Sequence, residues 1–207
     1  SLCNYDKIIA EDSQKREITV QSGIELKKLL LEIESRGWAI PCLPDIDVIT
    51  LGGALATGTH GTGRERHPLS GYVVKMSIIL ASGEVITVDA SDARFEAFRL
   101  NVGMLGITST VTFQCVPLYN LLLEERPVSD TEWIPQYKRL LEEHEFTRIL
   151  WLPHTDYGYL ITGDRAENTD GVELKKAPWW HKHRRTVSMM LYKYTTALPR
   201  LTVIANK

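Results

Sequence analysis

The sequence predicts an α+β chain in two parts, and three observations carry that expectation. The first is a glycine-rich stretch, Thr50 to Gly63, set between segments of clear apolar periodicity. The second is a pair of β-branched apolar runs, Tyr72 to Leu80 and Glu84 to Val88, joined by Ala81-Ser82-Gly83, which is a hairpin signal. The third is a change of pattern after Pro117, where strand-like runs alternate with a helix-like one, as in an α+β layer with one sheet face covered.

Taken in order, Lys7 to Ala10 and Glu17 to Val20 read as short strands. Ser22-Gly23-Ile24-Glu25 fits a capping box, in which the serine hydroxyl and the glutamate three residues on satisfy each other's free N–H groups. A helix is then expected with Leu26, Leu29, Leu30 and Ile33 on its buried face, since they fall at i, i+3, i+4 and i+7. Glu25, Lys28, Glu32 and Arg36 take the solvent face, and Gly37 ends the helix. Trp38 to Pro41 leads away, and Pro44 to Asp47 turns the chain into the glycine-rich stretch.

Beyond the hairpin, Ser91 or Asp92 caps a short helix running to Leu100, with Phe95, Phe98 and Leu100 as its apolar residues. Gly103 and Gly106 allow a tight turn into a strand in which Val111, Phe113 and Cys115 alternate with Thr110, Thr112 and Gln114. After Pro117 the pattern gives strands at Leu121 to Glu125, Thr147 to Leu152 and Gly158 to Thr162, a helix from Trp133 to His144, and a polar segment from Asp164 to Lys176.

Composition narrows the function classes. The 207 residues carry a formal net charge of -2, which gives no electrostatic reason to expect nucleic acid as a partner. Cys3, Cys42 and Cys115 are odd in number and far apart, so they read as buried thiols rather than a disulfide framework or zinc site. His181 and His183 lack a third ligand nearby, and no metal site is expected. His144 and His154 read as surface histidines. No apolar run approaches the ~20 residues that span a bilayer.

The chemistry lies in Thr50-Leu51-Gly52-Gly53-Ala54-Leu55-Ala56-Thr57-Gly58-Thr59-His60-Gly61-Thr62-Gly63. Five glycines in fourteen residues make a poor core but let main-chain N–H groups approach a ligand closely. Successive N–H groups in turns form a concavity suited to phosphate, and the hydroxyls of Thr57, Thr59 and Thr62 add donors. Ala54, Leu55 and Ala56 look buried, which argues against a merely flexible surface loop. His60 could contact a ligand or brace the loop.

Thr50 to Gly63, followed by Val73 to Glu84 and then by Gly103 to Thr112, resembles the FAD-binding domain of the vanillyl-alcohol-oxidase (PCMH) type. Within that superfamily the chain is most similar to the sugar-1,4-lactone oxidases, and the stretch from Met190 to Leu201 with Asn206-Lys207 is similar to these enzymes too. The resemblance implies a second lobe of a PCMH-type FAD domain in residues 1–117 and the first part of an α+β substrate (cap) domain in residues 118–207. A first phosphate-binding loop and the catalytic C-terminal half would lie outside these residues, so no catalytic acid or base is assigned.

The cofactor contacts that follow from the resemblance are Thr50, Gly53, Leu55, Gly58, Gly61, Thr62, Gly63 and Ile107, with Thr50 nearest the reactive ring and the substrate. The implied reaction is hydride transfer from a sugar 1,4-lactone to flavin N5, with oxygen or another acceptor taking the electrons. An alditol oxidase, or a non-catalytic nucleotide-binding remnant, is the alternative. The basic aromatic run Trp179 to Arg185 could touch a membrane surface, as the animal lactone oxidases do, or begin a solvated helix; location is therefore open between cytoplasm and membrane periphery.

Overall fold

The computed structural model describes residues 2, 4–64, 66–153 and 155–166. The expected features at His154, at Trp179 to Arg185 and at Met190 to Lys207 lie outside them. The described residues form two units, one ending at Tyr119 and the other starting at Asn120. Helices and antiparallel sheets make up both, which is the expected α+β class.

In the first unit the elements run β1 (Ile8–Asp12), β2 (Glu17–Gln21), α1 (Leu26–Ser35), β3 (Trp38–Ala39), α2 (Leu51–Ala56), β4 (Val73–Ile79), β5 (Val85–Asp89), α3 (Phe95–Arg99), β6 (Ile107–Gln114) and β7 (Val116–Pro117). Five of the strands make one antiparallel sheet in the order β1-β2-β6-β4-β5. Strand alternation sets the core: Ile18 and Val20 of β2, Val111 and Phe113 of β6, and Met76 and Ile78 of β4 are all buried. Leu26, Leu29 and Ile33 of α1 join the same cluster, each contributing ~1.5–3 kcal/mol by leaving water.

The capping box does not form. Ser22 is fully buried and donates its hydroxyl to Thr108 O at 2.5 Å, so it is unavailable to α1. The helix begins at Leu26, with Glu25 as N-cap and no side-chain cap bond. Its first free N–H groups are met instead by main-chain carbonyls, Leu26 N–H by Ile49 O and Lys27 N–H by Asp47 O, both at 2.9 Å. Gly37, at φ 70°, ends the helix as expected. Ahead of α3, Asp92 rather than Ser91 organises the turn, its Oδ1 accepting Arg94 N–H at 2.8 Å. Phe95 and Phe98 are buried, but Leu100 is exposed because the helix stops at Arg99.

The second unit holds β8 (Asn120–Ser129), α4 (Asp130–Trp133), α5 (Tyr137–Glu143), β9 (Phe146–Leu152) and β10 (Tyr157–Ala166). Its sheet order is β8-β10-β9, antiparallel throughout. The single helix expected from Trp133 to His144 is broken by a 3-10 turn at Ile134–Gln136, since Pro135 lacks the N–H an unbroken helix would need. Val128, Leu140 and Leu160 form a small core, with Trp133 and Ile149 packed against it. His144 is not a bare surface histidine: its Nδ1 lies 2.7 Å from Asp164 Oδ2.

Candidate functional site

Thr50 opens α2, and the turn at residues 22–25 fixes where it sits. Leu51 N–H donates to Ile24 O at 2.9 Å and Gly52 N–H to Ser22 O at 2.7 Å. Thr50 has extended backbone angles and occupies the N-cap position, yet its hydroxyl makes no capping bond. Gly53 N–H likewise finds no acceptor among the described residues.

Opposite α2 stands the turn between α3 and β6. The two walls enclose a cavity of about 230 Å³, lined by Thr50, Gly52, Gly53 and Ala56 on one side and by Asn101, Gly103, Gly106, Ile107 and Thr108 on the other. They are clasped at two places. Val102 N–H donates to Ala56 O at 3.0 Å. Ser22 bonds Gly52 through its carbonyl, Thr108 through its hydroxyl and Ser109 O through its N–H at 2.9 Å. Gly106 must be glycine here: at φ 136° an added Cβ would come within 2.6 Å of Ile79 O.

Of the residues expected to hold a cofactor, Thr50, Gly53 and Ile107 meet in this cavity although more than fifty positions of sequence separate the first two from the third. Leu55 does not line it; its side chain is buried in the main core. Gly58, Gly61, Thr62 and Gly63 do not line it either. Gly58, at φ 67°, caps α2: Gly58 N–H donates to Leu55 O at 3.2 Å and Thr59 N–H to Ala54 O at 3.0 Å, the paired bonds of a Schellman motif. Gly61 has a packing reason to be glycine, because a Cβ there would meet Leu43 O at 2.1 Å.

The residues beyond α2 are pinned by their carbonyls. Thr59 O accepts Leu69 N–H at 2.9 Å, and Thr62 O accepts the Cys42 thiol at 3.8 Å. The exposed His60 ring lies 3.1 Å from Gly61 O and braces the loop. The N–H groups of His60, Gly61, Thr62 and Gly63 find no acceptor among the described residues. Four consecutive unpaired donors suit a pyrophosphate, whose oxygens only accept.

Sequence pattern does not single out Ser22 or Asn101 as cavity residues. The signal that finds Asn101 is local: Asn-x-Gly is an Asx-turn pattern, and Asn101 Oδ1 accepts Gly103 N–H at 2.7 Å. No group of His, Cys, Asp and Glu suited to a metal ion occurs among the described residues. None of their helices is long and apolar enough to cross a membrane.

Among known proteins, residues 1–89 match the FAD binding domain, which makes FAD the cofactor of the class. Residues 111–207 match D-arabinono-1,4-lactone oxidase. The two matches follow one another along the chain, which resembles the FAD-binding sugar-1,4-lactone oxidase family. The L-gulonolactone oxidase of Scyliorhinus torazame is 32% identical over 166 residues, which are 79% of this chain and 38% of that protein. The L-gulonolactone oxidase of Mus musculus is 29% identical over 98% of this chain and 46% of its own length. The L-gulono-1,4-lactone dehydrogenase of Mycobacterium tuberculosis is 27% identical over 87% and 41%. The chain spans less than half the length of these relatives.

Solved structures share the fold. A solvent-stable cholesterol oxidase matches with a TM-score of 0.80 at 20% identity, over 97% of this chain and 42% of that one. A glucose dehydrogenase variant of Phl p 4 matches at 0.67 and 19% identity, over 78% and 35%. At such identities the likeness concerns the fold alone.

Proposed function

We propose that this chain forms part of an FAD-dependent oxidoreductase that oxidises a sugar 1,4-lactone. The observation that carries the reading is the meeting of Thr50 and Gly53 with Ile107 across one cavity, in a chain whose two halves match, in order, an FAD domain and a lactone oxidase. FAD, when bound, supplies the hydride acceptor.

The chain's own part is to bind and to orient. Gly53 keeps its wall open and offers a free N–H. The donors of His60 to Gly63 take the pyrophosphate, and the exposed Ile107 lays main chain against the nucleotide. Thr50 Oγ1 is uncommitted to its helix and free to fix a substrate hydroxyl. Positioning of this kind is where much of the rate arises, because a reacting C–H bond must be held roughly 3–3.5 Å from its acceptor. We assign the second unit, from Asn120 onward, to the substrate-covering domain.

The test is to purify the full-length protein that contains this chain and assay it, with oxygen and with an artificial dye acceptor, on gulono-, galactono- and arabinono-1,4-lactone beside xylitol and sorbitol. A yellow protein that turns over lactones faster than alditols supports the reading. Faster turnover of the open-chain alditols, or the absence of bound flavin, would overturn it.

A further inference from the structure

The turn that forms the β6 side of the cavity is left-handed at two consecutive residues, Val102 at φ 49° and Gly103 at φ 73°. Glycine adopts this region readily. For a β-branched residue it is an outlier that persists only when its surroundings impose it. Packing does not impose it here, since the Val102 side chain is 68% exposed.

Hydrogen bonds do. Val102 N–H is held by Ala56 O. Asn101 is 6% exposed and spends both ends of its carboxamide on main chain flanking Val102: Nδ2 donates to Phe98 O at 3.0 Å, and Oδ1 accepts Gly103 N–H at 2.7 Å. The Asn101 carbonyl also accepts Met104 N–H at 2.8 Å, so the start of the wall hangs from this one residue.

We propose that Asn101 is a positioning residue, whose carboxamide holds Val102 in the left-handed region and so sets Gly103 to Ile107 across the cavity from Thr50 and Gly53. The inference rests on reading that cavity as the flavin site. A polar residue that merely filled space would act through general stability; a clamp on one strained torsion acts through that torsion. The two differ in what rescues its loss, because a glycine at 102 needs no clamp.

The experiment uses the full-length protein produced flavin-free in riboflavin-starved cells. FAD is titrated in, with quenching of flavin fluorescence as readout, and amide hydrogen exchange of Met104 to Ile107 is followed in the apoprotein. Asn101→Leu is expected to raise both the FAD Kd and the exchange rates roughly tenfold. Adding Val102→Gly to Asn101→Leu is expected to recover at least half of each loss on a logarithmic scale.

Val88→Ala, a core change outside the cavity lining, serves as a control that lowers Tm without moving Kd. Should Asn101→Leu fail to fold, Asn101→Ser, whose shorter side chain reaches Gly103 N–H less well, carries the same comparison. A double variant no better than the single one would overturn the proposal, as would a single variant within twofold of wild type on both readouts. Wild-type apoprotein that binds no FAD would overturn the flavin reading of the cavity and this proposal with it. Normal wild-type binding matched by Asn101→Leu would overturn the proposal alone.

Discussion

Ser22 donates its hydroxyl to the carbonyl oxygen of Thr108 at 2.5 Å from a fully buried position. The same residue accepts Gly52 N–H on its carbonyl, so it links the two walls of the proposed flavin cavity. Ser22→Ala removes one of these bonds while keeping the backbone ones. The expected cost is about 1 kcal/mol in urea unfolding, with FAD affinity falling alongside stability, because the walls are no longer tied at that end.

Thr50→Val separates a capping role from a substrate role. The hydroxyl makes no cap bond, so stability should change by no more than about 0.5 kcal/mol. If the hydroxyl orients substrate, lactone turnover per bound flavin should fall by roughly ten- to a hundredfold. Unchanged turnover with a lowered melting temperature would return Thr50 to a purely structural role.

Gly53→Ala should move stability and binding in opposite directions. Gly53 is helical, and alanine is favoured there by up to ~1 kcal/mol. The new Cβ would lie 3.2 Å from Thr50 Oγ1, on the wall that lines the proposed cofactor cavity. The expected result is an apoprotein at least as stable as wild type with an FAD Kd about tenfold higher. Gly61→Ala should do the reverse of the first part and destabilise the fold, because its Cβ would strike Leu43 O rather than solvent.

Burial pushes the Cys115 thiol up from 9.0 to about 11. Between those values the unfolded chain has released this proton and the folded chain has not, so folding is opposed increasingly as pH rises. The stability contribution is complete below about pH 9 and is lost progressively towards pH 11. Urea unfolding measured from pH 8 to pH 11 should show a downward slope that Cys115→Ala reduces. Native Cys115 should also resist thiol alkylation at pH 8.

Much of the first unit was legible because its signals are local. The i, i+3, i+4, i+7 pattern of Leu26 to Ile33 and the hairpin between β4 and β5 appear where expected. Val111, Phe113 and Cys115 are buried, but the expected alternation is incomplete, because Thr112 between them is buried too, its hydroxyl 2.9 Å from that of Thr19, and Cys115 lies just past the end of β6. Ser22 was misleading because a capping box and a buried cross-strand tie use the same hydroxyl, and only tertiary structure decides which bond it makes. The break at Pro135 follows from a residue visible in the sequence, but the preceding and following apolar residues mask it. His144 and Asp164 are twenty positions apart, and β10 brings them together.

Within the glycine-rich stretch, composition assigns one purpose to glycines that have three. Gly53 borders the cavity, Gly58 ends a helix, and Gly61 makes room for the backbone at Leu43. Contact with the cofactor and contact with the chain itself both call for a missing side chain, and only the three-dimensional arrangement tells them apart.

The strand order also bears on how the protein comes to exist. β6, the last of the five sheet strands along the chain, lies between β2 and β4. Until Gln114 has been made, the hairpins on either side have no partner to join them, and the cavity has only one wall. Nascent chains shorter than this would expose two open sheet edges, a condition that favours aggregation and calls for chaperones. Closure must then bring together segments about ninety residues apart, which by loop-closure entropy makes folding slow. On the proposed reading of the cavity, the cofactor joins a sheet already zipped, and flavin-starved cells should still accumulate folded apoprotein.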